Sequence, residues 1–372
     1  MPRLPPSLVR RARHVAPELA TLLPACRTLL SARNELRWLR EHVEATTITT
    51  TATTATTAAA AAAAAAVVEG RRRNLLARLC HQRGRGVPLQ YILGTQPFGH
   101  LDIRCRPGVL IPRPETEAYT CHLIDLLRSG ELLSRPPAER PSSLGIIDFC
   151  TGTGCIPLLA FESLKSEVES LNVRGVDISP IALDLADANA TYASSRHPRA
   201  EKQLLRFSRT DVFSDADIRA LARERWDVMI SNPPYVSRDV WNHGRGQLGP
   251  SVRKFEPLLA LVPGQQLPLP PPGLRPEDIF YSRLLDVASI LKPEVILLEV
   301  GDQDQARRVA GHCLEHAFCA DATVELWRDG PDLTPSEDEQ VYWNIRTARH
   351  GERVVPVKGS GNVRSVLIRR EV

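Results

Sequence analysis

The chain has 372 residues, 43% of them apolar and 5% aromatic, with a formal net charge of +4. That length leaves room for one large domain with a smaller companion, and the composition can bury a core. A membrane-spanning helix is excluded, because no run reaches the roughly 18 apolar residues a span requires and the Ala-rich tract at 58–66 is too short.

The first forty residues hold eight Arg, no Lys, and only Glu18 and Glu35 as acids, a local charge of +6. About −2 is left for the rest, a poor match to a protein that grips a long phosphate backbone, so no direct nucleic-acid partner is expected. Met1 to Val15, with four Arg, one Ser and no acid, has the composition of a mitochondrial presequence able to form a basic amphipathic helix. An ordinary exposed tail fits those residues equally well, and residues 1–20 are set apart as the segment in question.

Leu22 to Val43 and Val67 to Gln82 are predicted helices, with apolar residues at Leu36, Leu39 and Val43 and at Leu75, Leu76 and Leu79. Between them, Thr46 to Ala66 is a degenerate Thr/Ala tract in which Ala favours helix and Thr opposes it, so a flexible or marginally helical insert without chemistry is expected. Residues 21–92 then form a small helical domain interrupted at 46–66. From Val87 onward, Gly94, Gly99, Pro107, Gly108, Pro112 and Pro114 bracket Leu101–Cys105 and Val109–Ile111. This predicts a hairpin linker, residues 96–114, leading into a helix at Glu115–Leu133.

Through residues 93–372 strand-like and helix-like segments alternate. The strands fall at Gly145–Phe149, Val173–Val176, Leu204–Phe207, Asp227–Ser231, Val295–Val300, Thr323–Trp327 and Val366–Ile368. Such alternation predicts an α/β domain with a seven-stranded, mostly parallel sheet, helices on both faces and ligands at the carboxyl ends of the strands. Pro263 to Pro276 holds six Pro and is expected to be a surface loop between catalytic elements, since Pro cannot donate to a ladder.

Asp148-Phe149-Cys150-Thr151-Gly152-Thr153-Gly154 follows an apolar strand and opens a helix. Its glycines permit a tight turn that brings backbone close to a bound molecule, and a helix N-terminus favours electronegative groups such as a carboxylate. Pro157 stands at the third glycine position of the dinucleotide fingerprint and no Gly-Lys-Ser/Thr comes after it, which removes both a dinucleotide site and a P-loop. A purely structural turn is the competing reading. Spacing supports a ligand: Asp177 ends the next strand, where a carboxylate can accept both hydroxyls of a ribose. One strand later, Asp211 is placed to accept from an adenine amino group, with Val212 against the ring. Asp177 as N-cap of a helix at Pro180–Ala190 is compatible with part of this. Adenosine without a phosphate anchor points to S-adenosylmethionine.

Met229-Ile230-Ser231-Asn232-Pro233-Pro234-Tyr235 is the most specific signal in the chain. Two consecutive prolines end a strand and stiffen the backbone after it, fixing Asn232 and the Pro233 carbonyl at the sheet's edge. An amide nitrogen is a poor nucleophile because its lone pair is delocalised. The Asn232 side-chain oxygen and the Pro233 carbonyl can each accept one N–H of an NH2 group and aim the nitrogen at a sulfonium methyl, while Tyr235 lies against the planar acceptor. Proton loss can follow attack, so no buried base is required.

The chain resembles the HemK-type (PrmC) peptide-chain release factor glutamine N5-methyltransferases. The matching stretches are Pro88 to Gly94, Phe98, Val109 to Glu117, Asp148 to Gly154, Asp177, Asn232 to Tyr235, Phe255 to Pro257 with Ala260-Leu261, and Leu298 to Gly301 with Gln305. Coverage runs from about residue 72 to the C-terminus, with weaker similarity across Leu22 to Val43. The Asn-Pro-Pro-Tyr and glycine motifs are shared with adenine-N6 methyltransferases; Ile111 to Glu117 is far more specific to this family.

The resemblance implies a Rossmann-like class I methyltransferase fold with S-adenosylmethionine as cofactor. It places Cys150, Thr151, Gly152, Thr153, Gly154, Asp177, Asp211, Val212 and Asn232 as cofactor contacts, and Asn232, Pro233, Pro234 and Tyr235 around the acceptor glutamine. The implied substrate is the Gln of the Gly-Gly-Gln loop of a class I release factor, acted on by a monomer whose helical N-domain helps grip that protein. Three departures stand out: Cys150 replaces the commoner Gly, Val212 stands where an aromatic is sometimes found, and the Thr/Ala and Pro-rich inserts interrupt the compact pattern. Because cytosolic eukaryotic relatives usually lack the helical N-domain and the Ile111 to Glu117 approach, the organellar branch is implied, with a mitochondrial matrix location expected and the cytoplasm as the alternative.

The remaining signals carry less. Eight Cys without a C-x-x-C pair suggest neither a zinc knuckle nor a disulfide framework. His312-Cys313-Leu314-Glu315-His316 matches a zinc-peptidase spacing without an evident third ligand, so no metal is expected. Glu256 could be mistaken for a general base, and a loop-closing hydrogen bond or salt bridge serves as well. The rival functions are an adenine-N6 methyltransferase, which calls for a basic cleft and stacking aromatics, and a non-catalytic partner protein, which predicts eroded motifs.

Overall fold

Proline opens each of the first two helices, where its missing N–H is one that no helix could use. The computed structural model describes residues 3–48, 58–133, 142–194, 202–244 and 248–370. They divide into two units, Met1–Thr95 with Gly249–Phe255, and Gln96–Leu248 with Glu256–Val372.

The smaller unit is helical: α1 (Pro6–Val15), α2 (Pro17–Cys26), α3 (Leu29–Ile48), α4 (Ala58–Gly84) and α5 (Leu89–Leu93). Ala12, Leu19, Leu22, Leu23, Leu36, Leu39, Val43 and Leu79 form its core. A bidentate pair joins α3 to α4, with Arg83 Nε and Nη2 donating to the Glu35 carboxylate at 2.6 and 2.9 Å. Near the start of the chain, α1 buries Ala12 and packs Leu8 and Val9 on that core, as does Leu4 just before it, while Arg10, Arg11 and Arg13 stay exposed. The segment is therefore a basic helix that forms part of the bundle. Of the Thr/Ala tract, the Ala run from Ala58 is the first part of α4, consistent with the high helix propensity of Ala; residues 49–57 lie outside the described residues.

In the larger unit, a two-stranded hairpin of β1 (Thr95–Phe98) and β2 (Leu101–Arg104) precedes α6 (Pro114–Ser129). Val109–Ile111, expected as the second hairpin arm, is irregular instead, and β1 takes that role. There follow β3 (Ser143–Phe149), α7 (Cys155–Leu164), β4 (Ser170–Asp177), α8 (Pro180–Ser194), β5 (Gln203–Arg209), α9 (Asp215–Leu221), β6 (Val228–Ser231) and α10 (Arg238–His243). After α11 (Pro250–Phe255), which belongs to the smaller unit, come α12 (Ile279–Leu291), β7 (Val295–Glu299), α13 (Gln303–Glu315), β8 (Ala322–Gly330), β9 (Tyr342–Thr347), β10 (Gly351–Lys358) and β11 (Ser360–Arg370).

The remaining strands form one sheet in the order β5-β4-β3-β6-β7-β11-β8-β10-β9. Adjacent strands from β5 to β7 pair in parallel, while β11 runs antiparallel between β7 and β8. Strand alternation distributes the core: Ile147, Met229, Ile296 and Leu298 join Leu284, Leu285 and Val309 in one layer, and Ile146, Val228, Ile230, Val295 and Leu297 join Leu123, Leu158 and Leu159 in the other. The α/β class and mostly parallel sheet are as expected. The strand count is not: the sheet has nine strands among the described residues, seven of them the expected ones, with β9 and β10 added at one edge. Pro356 interrupts β10 and half of β9 is polar, yet β9 alternates strictly, with Trp343, Ile345 and Thr347 buried and Tyr342, Asn344 and Arg346 exposed. That period of two was the available signal.

The chain leaves β3 for β4 and β5 on one side, then returns to β6 on the other. The crevice at the carboxyl ends of β3, β4 and β6 is thus the topological switch point where ligands of open α/β sheets bind.

Candidate active site

The turn after β3 requires left-handed backbone at three positions: Cys150 at φ +62°, Gly152 at +55° and Gly154 at +76°. Glycine enters that region at no steric cost, whereas a residue with a Cβ incurs strain, so the structure explains both the two glycines and why Cys150 is the unusual member. At Gly154 a Cβ would also lie 2.9 Å from the Phe207 ring and 3.0 Å from Ala186, so this glycine packs the turn against β5 and α8.

Asp177 at the end of β4 ties the turn in place. Its Oδ2 accepts the Gly152 N–H at 2.9 Å and its Oδ1 accepts the Ser179 N–H at 2.9 Å. Burial pushes its carboxyl above the ordinary range, and the backbone donors of Ser179 and Gly152 oppose that shift. The cap of α8 is Ser179, whose hydroxyl accepts from Ala182, so the Asp177 side chain is not the helix cap. Asp211 accepts the Phe213 N–H at 2.9 Å through Oδ1. Beside Val212, Phe213 meets Phe280 edge to face at 5.1 Å between ring centres, so aromatic surface is present there although position 212 lacks it.

These residues surround a cavity of about 400 Å³, within the range of ligand sites. Of the residues singled out from the sequence, Cys150, Thr151, Gly152, Thr153, Asp177, Asp211, Val212, Asn232 and Pro234 line it. Gly154, Pro233 and Tyr235 do not. Gly154 lies behind the turn, and Tyr235 turns its hydroxyl to Glu299 Oε1 at 2.9 Å. Asn232 follows β6, whose last residue, Ser231, pairs with Phe149 across the ladder and donates its hydroxyl to the Phe149 carbonyl at 2.9 Å. The Asn232 to Tyr235 tetrapeptide and the glycine turn are therefore held at adjacent strand ends.

Other lining residues were not assigned a role from the sequence. Val109 to Arg113 forms one wall, held by Glu256, whose carboxylate takes Arg113 Nη2 at 2.8 and 2.9 Å and the Ile111 N–H at 3.2 Å. Glu256 is thus the loop-closing partner and not a general base facing the cavity. The Pro-rich stretch does more than cross the surface, since Pro263, Gly264, Gln266, Leu267 and Pro268 line the same cavity; nothing in its composition indicated this. Beneath the turn, the Asp148 carboxyl is fully buried beside the Thr151 hydroxyl, and burial pushes it up to about 8 against the opposing pull of that hydroxyl. The zinc-like spacing on α13 has other partners: Glu315 accepts the Arg349 N–H at 3.0 Å and His316 faces Asp286 at 3.4 Å.

The chain is 34% identical over 352 residues, 94% of its own length and 91% of the relative's, to the mitochondrial MRF1 N(5)-glutamine methyltransferase MTQ1 of Saccharomyces cerevisiae. It is 37% identical to the probable MRF1 mitochondrial N(5)-glutamine methyltransferase of Schizosaccharomyces pombe, over 51% of this chain and 56% of that one. With the release factor glutamine methyltransferase of Bacillus subtilis it shares 33% identity over 58% of this chain and 63% of that one. No protein-family model matches. Among solved structures, the hMettl16 catalytic domain in complex with an RNA hairpin aligns at a TM-score of 0.44 and 14% identity, over 78% of this chain and 81% of that one, a likeness too low to argue from.

Proposed function

The chain belongs to the release factor glutamine methyltransferase family, and on that premise we propose that it methylates the side-chain nitrogen of the glutamine in the Gly-Gly-Gln motif of a mitochondrial class I release factor, with S-adenosylmethionine as methyl donor. The observation that carries this reading is that Asn232 and the glycine turn line one cavity together with Asp177 and Asp211.

The cavity's residues fit the donor. Asp177 presents a carboxylate where a ribose offers hydroxyls, and Val212 with Phe213 and Phe280 gives apolar surface for an adenine. When bound, the donor supplies a methyl group on a sulfonium, which reacts by in-line displacement. The chain's task is then positioning: Asn232, which lines the cavity, accepts an N–H of the carboxamide through Oδ1 and holds its nitrogen on the line of attack. Such alignment can lower a barrier by up to ~7–11 kcal/mol.

The helical unit is assigned to gripping the release factor, acting from a monomer. A mitochondrial location is supported by the name of the Saccharomyces relative and by the basic helix α1. No helix of the described residues is long and apolar enough to cross a membrane. The test is mass spectrometry of the Gly-Gly-Gln peptide after the full chain, a mitochondrial class I release factor and methyl-labelled donor are incubated together. Label on the glutamine is expected; label elsewhere, or none, rejects the assignment.

A further inference from the structure

Beside Asn232 runs a buried polar chain whose first member, Thr116, also lines the cavity. Thr116, in the first turn of α6, accepts the Asn232 Nδ2–H at 3.3 Å and donates its hydroxyl to Glu299 Oε2 at 2.6 Å. Glu299 ends β7, and its other oxygen accepts the Tyr235 hydroxyl at 2.9 Å. Thr116 and Glu299 are 2% and 1% exposed, so water does not compete for these bonds.

The chemistry of the three groups sets the direction of the chain. A carboxylate only accepts, and a hydroxyl carries one proton. With that proton committed to Glu299, Thr116 has only lone pairs left for Asn232. The Asn232 amide must then turn its NH2 toward Thr116, which leaves Oδ1 for the cavity it lines. The opposite orientation would leave two acceptor oxygens facing each other at Thr116 and would offer the cavity a donor, which repels an acceptor group that itself carries N–H bonds.

We infer that Thr116 and Glu299 are positioning residues that fix the polarity of the Asn232 amide, so that the cavity presents an oxygen to the nitrogen being methylated. This rests on the reading of Asn232 as the group that holds that nitrogen. Glu299 acts from β7 through α6 on a loop after β6, and the specificity for an NH2-bearing acceptor is held by a carboxylate that never touches it.

The experiment compares turnover and donor affinity in the full chain for Thr116→Val, Thr116→Ser, Glu299→Gln and the Thr116→Val/Glu299→Gln double variant, with release factor as substrate. Thr116→Val keeps the side chain's shape and removes the hydroxyl. Its kcat is expected to fall on the order of 10- to 100-fold with the donor dissociation constant near wild type. Thr116→Ser restores the hydroxyl and should recover turnover to within several-fold. Since Glu299 acts through Thr116, the double variant should lose little more than the worse single one. Multiplied losses, or a Thr116→Val kcat within about twofold of wild type, would overturn the relay. Should Thr116→Val not fold, Glu299→Leu decides in its place, because it removes the acceptor of the Thr116 proton that a Gln carbonyl would still supply, an unchanged kcat being the adverse result. Wild-type chain that leaves the release factor unmethylated counts against the proposed function itself, whereas active wild type with equally active variants counts against the relay only.

Discussion

Asp177 Oδ2 accepts the backbone N–H of Gly152 at 2.9 Å, so the carboxylate ending β4 and the turn after β3 are locked to each other before any ligand arrives. For Asp177→Ala this means two losses, the ribose acceptor and the brace on the turn. With hydrogen bonds to charged groups contributing ~1.5–3 kcal/mol each, donor binding should weaken on the order of 10- to 100-fold. Calorimetric titration measures it, and an unchanged dissociation constant would remove Asp177 from the ribose role.

Asn232 lines the cavity, and its Nδ2 is already engaged by Thr116. Asn232→Ala should therefore abolish methyl transfer while donor affinity stays within several-fold of wild type. Wild-type turnover by this variant on release factor would refute the acceptor role.

Arg113 and Glu256 form an unequal pair, with side chains 30% and 2% exposed. Arg113→Met would leave the Glu256 carboxylate with the Ile111 N–H as its remaining described donor. The destabilisation should be substantial yet below the ~3–5 kcal/mol of breaking a fully buried pair, because Arg113 is partly solvated. Urea unfolding reads it as a lowered midpoint, and Glu256→Gln in the same background should recover part of the loss. A midpoint unmoved by Arg113→Met would show that the wall of the cavity does not depend on this pair.

Burial pushes the Asp148 carboxyl from its ordinary 3.8 up to about 8. Between those values the folded chain keeps a proton that the unfolded chain has released. Stability therefore falls as pH rises through that window, with the loss complete above the folded value. Asp148→Asn copies the neutral form, so its stability relative to wild type should improve from pH 4 to pH 8 and then level off. Unfolding free energies of the two proteins without ligand, measured across that range, make the comparison; a difference independent of pH would mean that the carboxyl is charged in the fold.

Several site residues were legible in the sequence because their roles are set by the backbone around them. The turn at Cys150 to Gly154 needs left-handed φ, and the residues able to adopt it are few. Asn232 is held by two prolines that restrict the chain wherever it is placed. Glu256 was legible as a loop-closing group but its partner was not, since Arg113 lies 143 residues earlier.

By itself, then, the sequence determined the alternation of strands and helices, the turn and the stiffened tetrapeptide, since each arises from torsional preferences and side-chain periodicity over a few neighbouring residues. Only the tertiary structure decided that the Pro-rich stretch walls the cavity, that β9 and β10 extend the sheet, that Tyr235 turns to Glu299, and that Thr116 meets a carboxylate 183 positions away. A buried hydroxyl, amide or carboxylate can be satisfied by many partners, and which one it finds depends on how the strands are ordered in the sheet, a property that no short stretch of chain contains.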